Sequence, residues 1–287
     1  MAFVRAGSLR FHVQRLPAAP AAPAAAAAGS GRPLVVFLHG LVVDNLSSFY
    51  CPVALPVARA GHEVLLYDLR GHGRTERPAG GYDSRTAVRD LFGLLGALGL
   101  GRRPVHLVGN SYGATLALHA ALARPDLVTG LTLLEPPLSG AWVENMVDTL
   151  SAAALSLEDS PVPAELLGLR LRKAAHLTAI ADDLLNRTSL IDDVAGSRPF
   201  APADYARLRC PALVVCGEHS ELVPGARELA RHAPRAGLRI LPGLGHDVLK
   251  ESSGVLRDSV LAHLDATAAA AVSGAAAVLP RAGALVP

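Results

Sequence analysis

The stretch Val105-His106-Leu107-Val108-Gly109-Asn110-Ser111-Tyr112-Gly113-Ala114-Thr115-Leu116 decides the reading of this chain. It opens as an apolar run rich in β-branched residues, turns at Gly109–Gly113, and continues in helix formers to Ala123. The order is strand, sharp turn, helix, with a serine at the apex in a G-x-S-x-G pattern. The two glycines have a steric reason. A turn this tight presses strand against helix, and a residue without Cβ fits where the backbones meet. A helix that begins under the serine favours negative charge developing there.

Working outward, Leu9–Leu16 alternates as a strand does, and Leu34–Leu38 and Glu63–Tyr67 are short apolar strands that end at His39-Gly40 and at Asp68-Leu69-Arg70-Gly71-His72-Gly73. Residues Ser47–Ala60 are helix-like, with Pro52 and Pro56 expected to break them into pieces. Arg85–Leu98 carries Val88, Leu91, Phe92, Leu95 and Leu98 at helical spacing and stops at Gly99. Beyond the elbow, Leu131–Leu134 reads as a strand leading into Glu135-Pro136-Pro137. The alternation predicts a doubly wound, mostly parallel α/β sheet. It stops between residues 138 and 205, where Ala141–Leu155, Ala164–Leu185 and Thr188–Val194 read as helices. It resumes with a strand at Ala212–Cys216, a helix at Pro224–Arg231, a strand at Leu238–Leu241 and a helix at Val255–Leu264.

Two segments lack the means to pack. Residues 17–31 alternate prolines with alanines and end in Gly29-Ser30-Gly31, which reads as a flexible loop. Residues 265–287 are Ala, Gly, Val and Pro with almost no charge. Gly274, Pro280 and Arg281 interrupt any membrane span, so a disordered tail is expected.

With 287 residues, 51% of them hydrophobic and 18% charged, the chain can bury a large core. A net charge of +2 with no basic cluster argues against nucleic acid as a partner. The three cysteines, Cys51, Cys210 and Cys216, form no C-x-x-C pair and read as reduced thiols in a cytoplasmic protein, and no secretory signal is evident. No H-E-x-x-H or Cys/His cluster calls for a metal, and no complete G-x-G-x-x-G calls for a dinucleotide, so no cofactor is expected. The pairs Asp182-Asp183 and Asp192-Asp193 read as solvated helix faces.

Taken in order, His39-Gly40, Asp68–Gly73, Gly109–Gly113, Gly217-Glu218-His219 and Gly245-His246 resemble the α/β-hydrolase superfamily over residues 5 to 264. The resemblance implies an α/β-hydrolase core at 1–137 and 206–264 with a helical cap at 138–205. It also implies that Asp68, Arg70 and His72 hold the fold and that His39 shapes the oxyanion loop.

The chemistry centres on Ser111. A serine hydroxyl needs a base within hydrogen-bond reach, and imidazole is matched to neutral pH. Of eleven histidines, His246 in Pro-Gly-Leu-Gly-His stands where the resemblance puts the catalytic base. His12, His62, His106, His119, His176, His219, His232 and His263 are read as packed or surface residues. The acid departs from the usual pattern, because Ser220 occupies the position where the family has an aspartate. Glu135 is the leading replacement, 24 residues after Ser111 at a strand end. Some haloalkane dehalogenases and polyketide thioesterases place their acid there. Glu221 is the rival, Glu218 a third candidate, and a dyad or a water-bridged arrangement the remaining reading. The backbone N–H groups of Leu41 and Tyr112 are the expected oxyanion donors.

The function these residues imply is a serine hydrolase that cleaves an ester or thioester through an acyl-enzyme. The displaced acid, the Ser-Tyr elbow and the helical cap resemble stand-alone thioesterases that release a polyketide-type chain. The substrate is then a small acyl compound, free or borne by an acidic carrier protein. Arg170, Arg172 and Lys173 would face such a carrier, against the plainer reading of a solvated helix face. A carboxylesterase, a lactonase or a C–C bond hydrolase is the alternative among enzymes, and a non-catalytic hydrolase-fold binding protein the alternative of another class.

Overall fold

The computed structural model describes residues 2–19, 32–158 and 169–273. Eight strands form one sheet in the order β1-β2-β4-β3-β5-β6-β7-β8. The strands are β1 (Ala2–Ala6), β2 (Leu9–Leu16), β3 (Leu34–Leu38), β4 (Val64–Tyr67), β5 (Val105–Asn110), β6 (Val128–Leu134), β7 (Ala212–Gly217) and β8 (Ala236–Leu241). β1 and β2 pair antiparallel, as do β2 and β4; the strands from β4 across to β8 are parallel. This is the α/β-hydrolase fold. The N-terminal hairpin, turning at Gly7 with φ of 58°, adds a strand that the sequence pattern had not marked.

Successive side chains of a strand point to opposite faces, and both faces here are covered. Val36, Leu38, Leu107, Leu131 and Leu133 pack on one side with α3 (Ser84–Ala97), α4 (Tyr112–Ala123) and α9 (Val223–His232). Val35, Phe37, Val108, Leu134 and Val215 pack on the other with Phe49, Val53 and Val57 and with Leu256, Val260 and Leu264. That is why the central strands read as continuous apolar runs rather than alternating ones. α3 starts where Asp83 accepts a hydrogen bond from Thr86 N at 2.9 Å, and buries Val88, Leu91, Leu94 and Leu95 on one stripe.

Two expectations need correction. Pro52 does not break its helix. α1 (Ser47–Phe49) runs through a wide π turn, Tyr50–Ala54, into α2 (Leu55–Arg59), with Leu55 N–H reaching Tyr50 O. Proline lacks the N–H that an α turn would use, and the wider turn absorbs that loss. The C-terminal helix, α11 (Ser253–Ser273), continues through residues 265–273, where a disordered tail was expected. Ala266 and Ala268–Ala271 are the best intrinsic helix formers, and they prolong a helix already anchored by Val260 and Leu264. The rest of that tail, 274–287, and residues 20–31 of the proline-alanine segment lie outside the described residues.

Between β6 and β7 stand α5 (Gly140–Glu158), α6 (Leu169–Asn186), α7 (Leu190–Ala195) and α8 (Pro202–Ala206). Leu150, Ala154, Leu184, Leu185, Leu190 and Val194 form a separate apolar cluster that includes Tyr82 from the loop before α3. The acidic pairs do more here than face solvent. Asp193 Oδ2 accepts from Tyr82 N at 2.7 Å, and Asp183 pairs with Arg77. Both contacts tie the inserted helices to that loop. The side chains of Arg170, Arg172 and Lys173 lie outside the described residues. The short α10 (Val248–Glu251) follows β8, and among the described residues no helix is long and apolar enough to cross a membrane.

Candidate active site

The sheet changes direction of growth at β3, which has β4 on one side and β5 on the other. In open α/β sheets the crevice beyond the carboxyl ends at such a point receives ligands. His39-Gly40 leaves β3 there and Ser111 leaves β5.

Ser111 has φ of 51° and ψ of −123°, directly before the first residue of α4. A Cβ on Gly109 would overlap the Gly113 carbonyl, and one on Gly113 would overlap the carbonyls of Leu38 and His39. Both positions therefore exclude any residue with a Cβ. A Cβ on Gly40 would come within 3.6 Å of Ser111 Cβ, so the loop leaving β3 runs beside the serine. Ser111 N–H continues the ladder to Leu134 O at 2.8 Å, and Glu135 N–H continues it to Val215 O at 2.9 Å. The ends of β5, β6 and β7 thus stand in a row.

The loop after β3 is clamped by two buried histidines. His39 Nδ1–H donates to Gly40 O at 2.7 Å and its Nε2 accepts from Leu69 N at 2.9 Å. His72 Nδ1–H donates to Arg70 O at 2.7 Å and its Nε2 accepts from Val42 N at 2.9 Å. Those bonds fix both rings in the neutral form, and burial lowers both basicities, His72 to about 3. Neither is available as a base. His72 holds Val42 at φ of 66°, an uncommon conformation for a β-branched residue. Asp68 accepts from Leu46 N at 2.8 Å, Arg74 N at 2.9 Å and His12 Nδ1 at 2.7 Å, while Arg70 forks onto Asp90 with both bonds at 2.8 Å. Among the described residues no hydrogen bond engages the N–H of Leu41 or of Tyr112.

Glu135 ends β6 at φ of 48° with its carboxyl fully buried. Its Oε1 accepts from Gly217 N at 2.5 Å and its Oε2 from Ser220 Oγ at 2.5 Å. His246 Nδ1 lies 3.4 Å from that same Oε2. The approach is long and off line, so Nδ1 is buried without a full hydrogen bond. Even so, Glu135 raises the basicity of His246, more than burial lowers it. Gly217 makes the meeting possible, because a Cβ there would overlap the carbonyls of Leu244 and Gly245, just before the histidine. Glu218 Oε2 accepts from Gly243 N at 2.9 Å and His219 N donates to Leu244 O at 2.9 Å, so both brace the loop that carries His246.

The geometry thus brings Glu135 onto His246. Glu221 is exposed and acts on the imidazole only as a weaker, more distant charge, and Glu218 holds backbone instead. Among the described residues the Ser111 hydroxyl makes no hydrogen bond, and Ser111 is placed by its backbone, its N–H on Leu134 O. Two participants escaped the sequence reading. Ser220 was marked only as unable to serve as the acid, yet its hydroxyl donates to Glu135 Oε2. Tyr82 gave no signal, yet its carbonyl accepts from Tyr112 Oη at 3.0 Å and its N–H donates to Asp193.

The fold is that of a hydrolase, and residues 35–258 match the alpha/beta hydrolase family, to which the chain belongs. It is 26% identical over 255 residues to the 2-(acetamidomethylene)succinate hydrolase of Mesorhizobium japonicum, covering 83% of this chain and 90% of that one. It is 31% identical over 242 residues to polyketide synthase ThaQ of Burkholderia thailandensis, covering 75% of this chain and 11% of that much longer one. The enol-lactonase of Burkholderia xenovorans LB400 has a similar structure, with a TM-score of 0.66 at 19% identity over 92% of this chain and all of that one.

Proposed function

We propose that this hydrolase works by acyl transfer on an ester or thioester, with Ser111 as nucleophile, His246 as base and Glu135 as the acid that orients it. The pairing of buried Glu135 Oε2 with His246 Nδ1 carries the reading. A carboxylate fixed on one imidazole nitrogen leaves the other to act on a hydroxyl. Ser111 Oγ attacks the carbonyl carbon and passes its proton to His246 Nε2. The oxyanion accepts from Leu41 and Tyr112 N–H. Collapse breaks the C–O or C–S bond, and the departing alcohol or thiol takes the proton from His246. Water, or another nucleophile activated the same way, then releases the acyl group and frees Ser111.

The substrate proposed is an apolar acyl chain of polyketide type, as a free thioester or on a carrier protein, in a cytoplasmic setting. Leu41, Val42, Met146 and Val147, all partly buried and none charged, pack against the apolar cluster of the inserted helices, which we read as a cap. The similarity to part of a polyketide synthase points the same way. A fluorophosphonate probe tests the mechanism. Labelling confined to Ser111, with hydrolysis lost in Ser111→Ala, supports it, and a folded protein that takes no label is a binding protein instead. A panel of acyl thioesters, simple esters and lactones tests the substrate, with the highest kcat/KM expected on medium to long acyl thioesters.

A further inference from the structure

One oxygen at this site serves two neighbours. Glu135 Oε2 receives the Ser220 hydroxyl at 2.5 Å and faces His246 Nδ1 at 3.4 Å. The direction of the serine bond is fixed, because Ser220 Oγ itself accepts from Leu222 N at 3.2 Å and so turns its proton toward the carboxylate. Ser220 is buried and its own backbone is held by Gly217 O at 3.2 Å. The hydroxyl therefore has no solvent to exchange this bond for. Gly217 N–H fixes the other oxygen, Oε1. The carboxylate is pinned at both ends before the imidazole meets it.

We infer that Ser220 is a positioning residue for His246: its hydroxyl aims Glu135 Oε2 at Nδ1 and competes with the imidazole for that oxygen, so that it limits how basic the histidine becomes. The inference rests on the acyl-transfer reading of Ser111, His246 and Glu135. A donor on a carboxylate oxygen draws off charge that would otherwise act on the imidazolium. The other groups acting on His246 are few. Glu221, from the turn after β7, and Asp247, from the start of α10, both raise its basicity, and burial opposes them. Cys216 in β7 lies near Glu135, but burial pushes its thiol far up and keeps it neutral. Gly217 N–H draws on the other oxygen, Oε1, and Ser220 is the side chain that shares Oε2 with His246.

The test reads His246 directly, by NMR titration of its imidazole in full-length protein carrying Ser111→Ala, where turnover plays no part. Adding Ser220→Ala should raise the His246 pKa by about half a unit or more, and Ser220→Thr, which keeps the hydroxyl, should leave it near the parent value. In a Glu135→Gln background Ser220→Ala should produce no such rise, because the charge being shared is gone. With Ser111 restored, the acid limb of kcat/KM should move up by the same amount in Ser220→Ala. An unchanged or lowered His246 pKa in folded Ser220→Ala overturns the inference, and so does a rise that persists beside Glu135→Gln. Should Ser220→Ala fail to fold, Ser220→Cys keeps the volume with a weak donor, and an unchanged titration there overturns it equally. Absence of probe labelling at Ser111 refutes the acyl-transfer reading, whereas an unmoved titration beside a labelled Ser111 refutes only the role of Ser220.

Discussion

Ser111 and Glu135 are neighbours at the ends of adjacent strands, each the first residue after its strand and each at positive φ, 51° and 48°. Such conformations cost on the order of 1–3 kcal/mol apiece and persist only where the surroundings impose them. At Ser111 the imposing contact is the glycine-backed crossing of β5 and α4. At Glu135 it is a set of bonds: its N–H to Val215 O, its two oxygens to Gly217 and Ser220, and Thr115 Oγ1 on Pro137 O at 2.9 Å just downstream. A residue before proline is ordinarily extended, which makes the conformation of Glu135 the more costly.

Glycine at 113 should therefore be irreplaceable. Gly113→Ala would drive a methyl into the carbonyls of Leu38 and His39, which belong to a central strand and cannot retreat. The expected cost is about 3 kcal/mol or more in urea unfolding. Gly93→Ala, on α3 with nothing within 4 Å of the added carbon, should be neutral or slightly stabilising. Equal costs for the two would refute the steric account of the elbow.

Removing the acid should lower turnover and also move its pH dependence. On the proposed role of Glu135, Glu135→Ala should reduce kcat by on the order of 10³ or more, as loss of the orienting acid does in Ser-His-Asp triads. Glu135 raises the basicity of His246, so its loss lets the imidazole shed its proton at lower pH. The acid limb of kcat/KM should accordingly shift downward while the plateau falls. Glu221→Ala, a weaker charge on the same ring, should shift the limb slightly and leave the plateau nearly intact. The opposite pattern, a collapsed plateau in Glu221→Ala alone, transfers the role to Glu221.

What could be read from the chain beforehand followed from local rules. The strand–turn–helix at 105–123 and the β–α alternation depend on neighbours in sequence, and the five ordered motifs added the superfamily. Glu135 could be proposed because Ser220 left the usual position without a charge. That Ser220 then bonds to Glu135 could not be read, because the two are 85 residues apart and meet only when β6 and β7 pair. Asp193 and Tyr82 failed for the same reason: a carboxylate on a short helix looks solvated until a loop more than a hundred residues away supplies an N–H. The helical end at 265–273 was missed on different grounds. A stretch of small residues with almost no charge reads as unable to pack, whereas alanine's helix propensity is enough to prolong a helix already anchored by Val260 and Leu264.

The contact between Asp193 and Tyr82 gives a third expectation. Tyr112 Oη, Tyr82 and Asp193 form a chain of bonds from the elbow helix to α7, and Ser189 Oγ adds a 2.5 Å bond to the same Asp193 oxygen. Asp193→Ala leaves the Tyr82 N–H and the Ser189 hydroxyl without their acceptor, at a cost of about 1–3 kcal/mol. Since the contact joins the inserted helices to the loop before α3, cleavage by a nonspecific protease should begin sooner in the 140–206 region. KM should rise more than kcat falls. Unchanged proteolysis and an unchanged KM would show that this contact does not hold the inserted helices in place.

Buried histidines should set the acid limit of stability. Burial lowers the basicity of His39, His62 and His106, of His119 and His263 to about 4, and of His72 to about 3. Unfolded, each returns to about 6.5 and takes up a proton that the folded protein refuses. The sign follows: the folded state has its full advantage well above pH 6.5 and loses it as pH falls through 6.5 toward 4, by up to roughly 1.4 kcal/mol per pH unit for each such group. Glu63 and Asp83, held low by Arg103 and Arg15 and by Thr86, lose their contribution in the same direction but only below the ordinary carboxylate range. His246 works the other way, since its raised basicity favours the folded state most at low pH, but it is one group against six. Urea midpoints should already be lower at pH 6.5, where the unfolded imidazoles are about half protonated, than at pH 8, and should fall more steeply between pH 6.5 and 5. His263→Gln, which can keep a donor near Leu131 O, should flatten that fall. A midpoint constant from pH 8 to 5 would mean that these imidazoles take up protons inside the fold as readily as outside it.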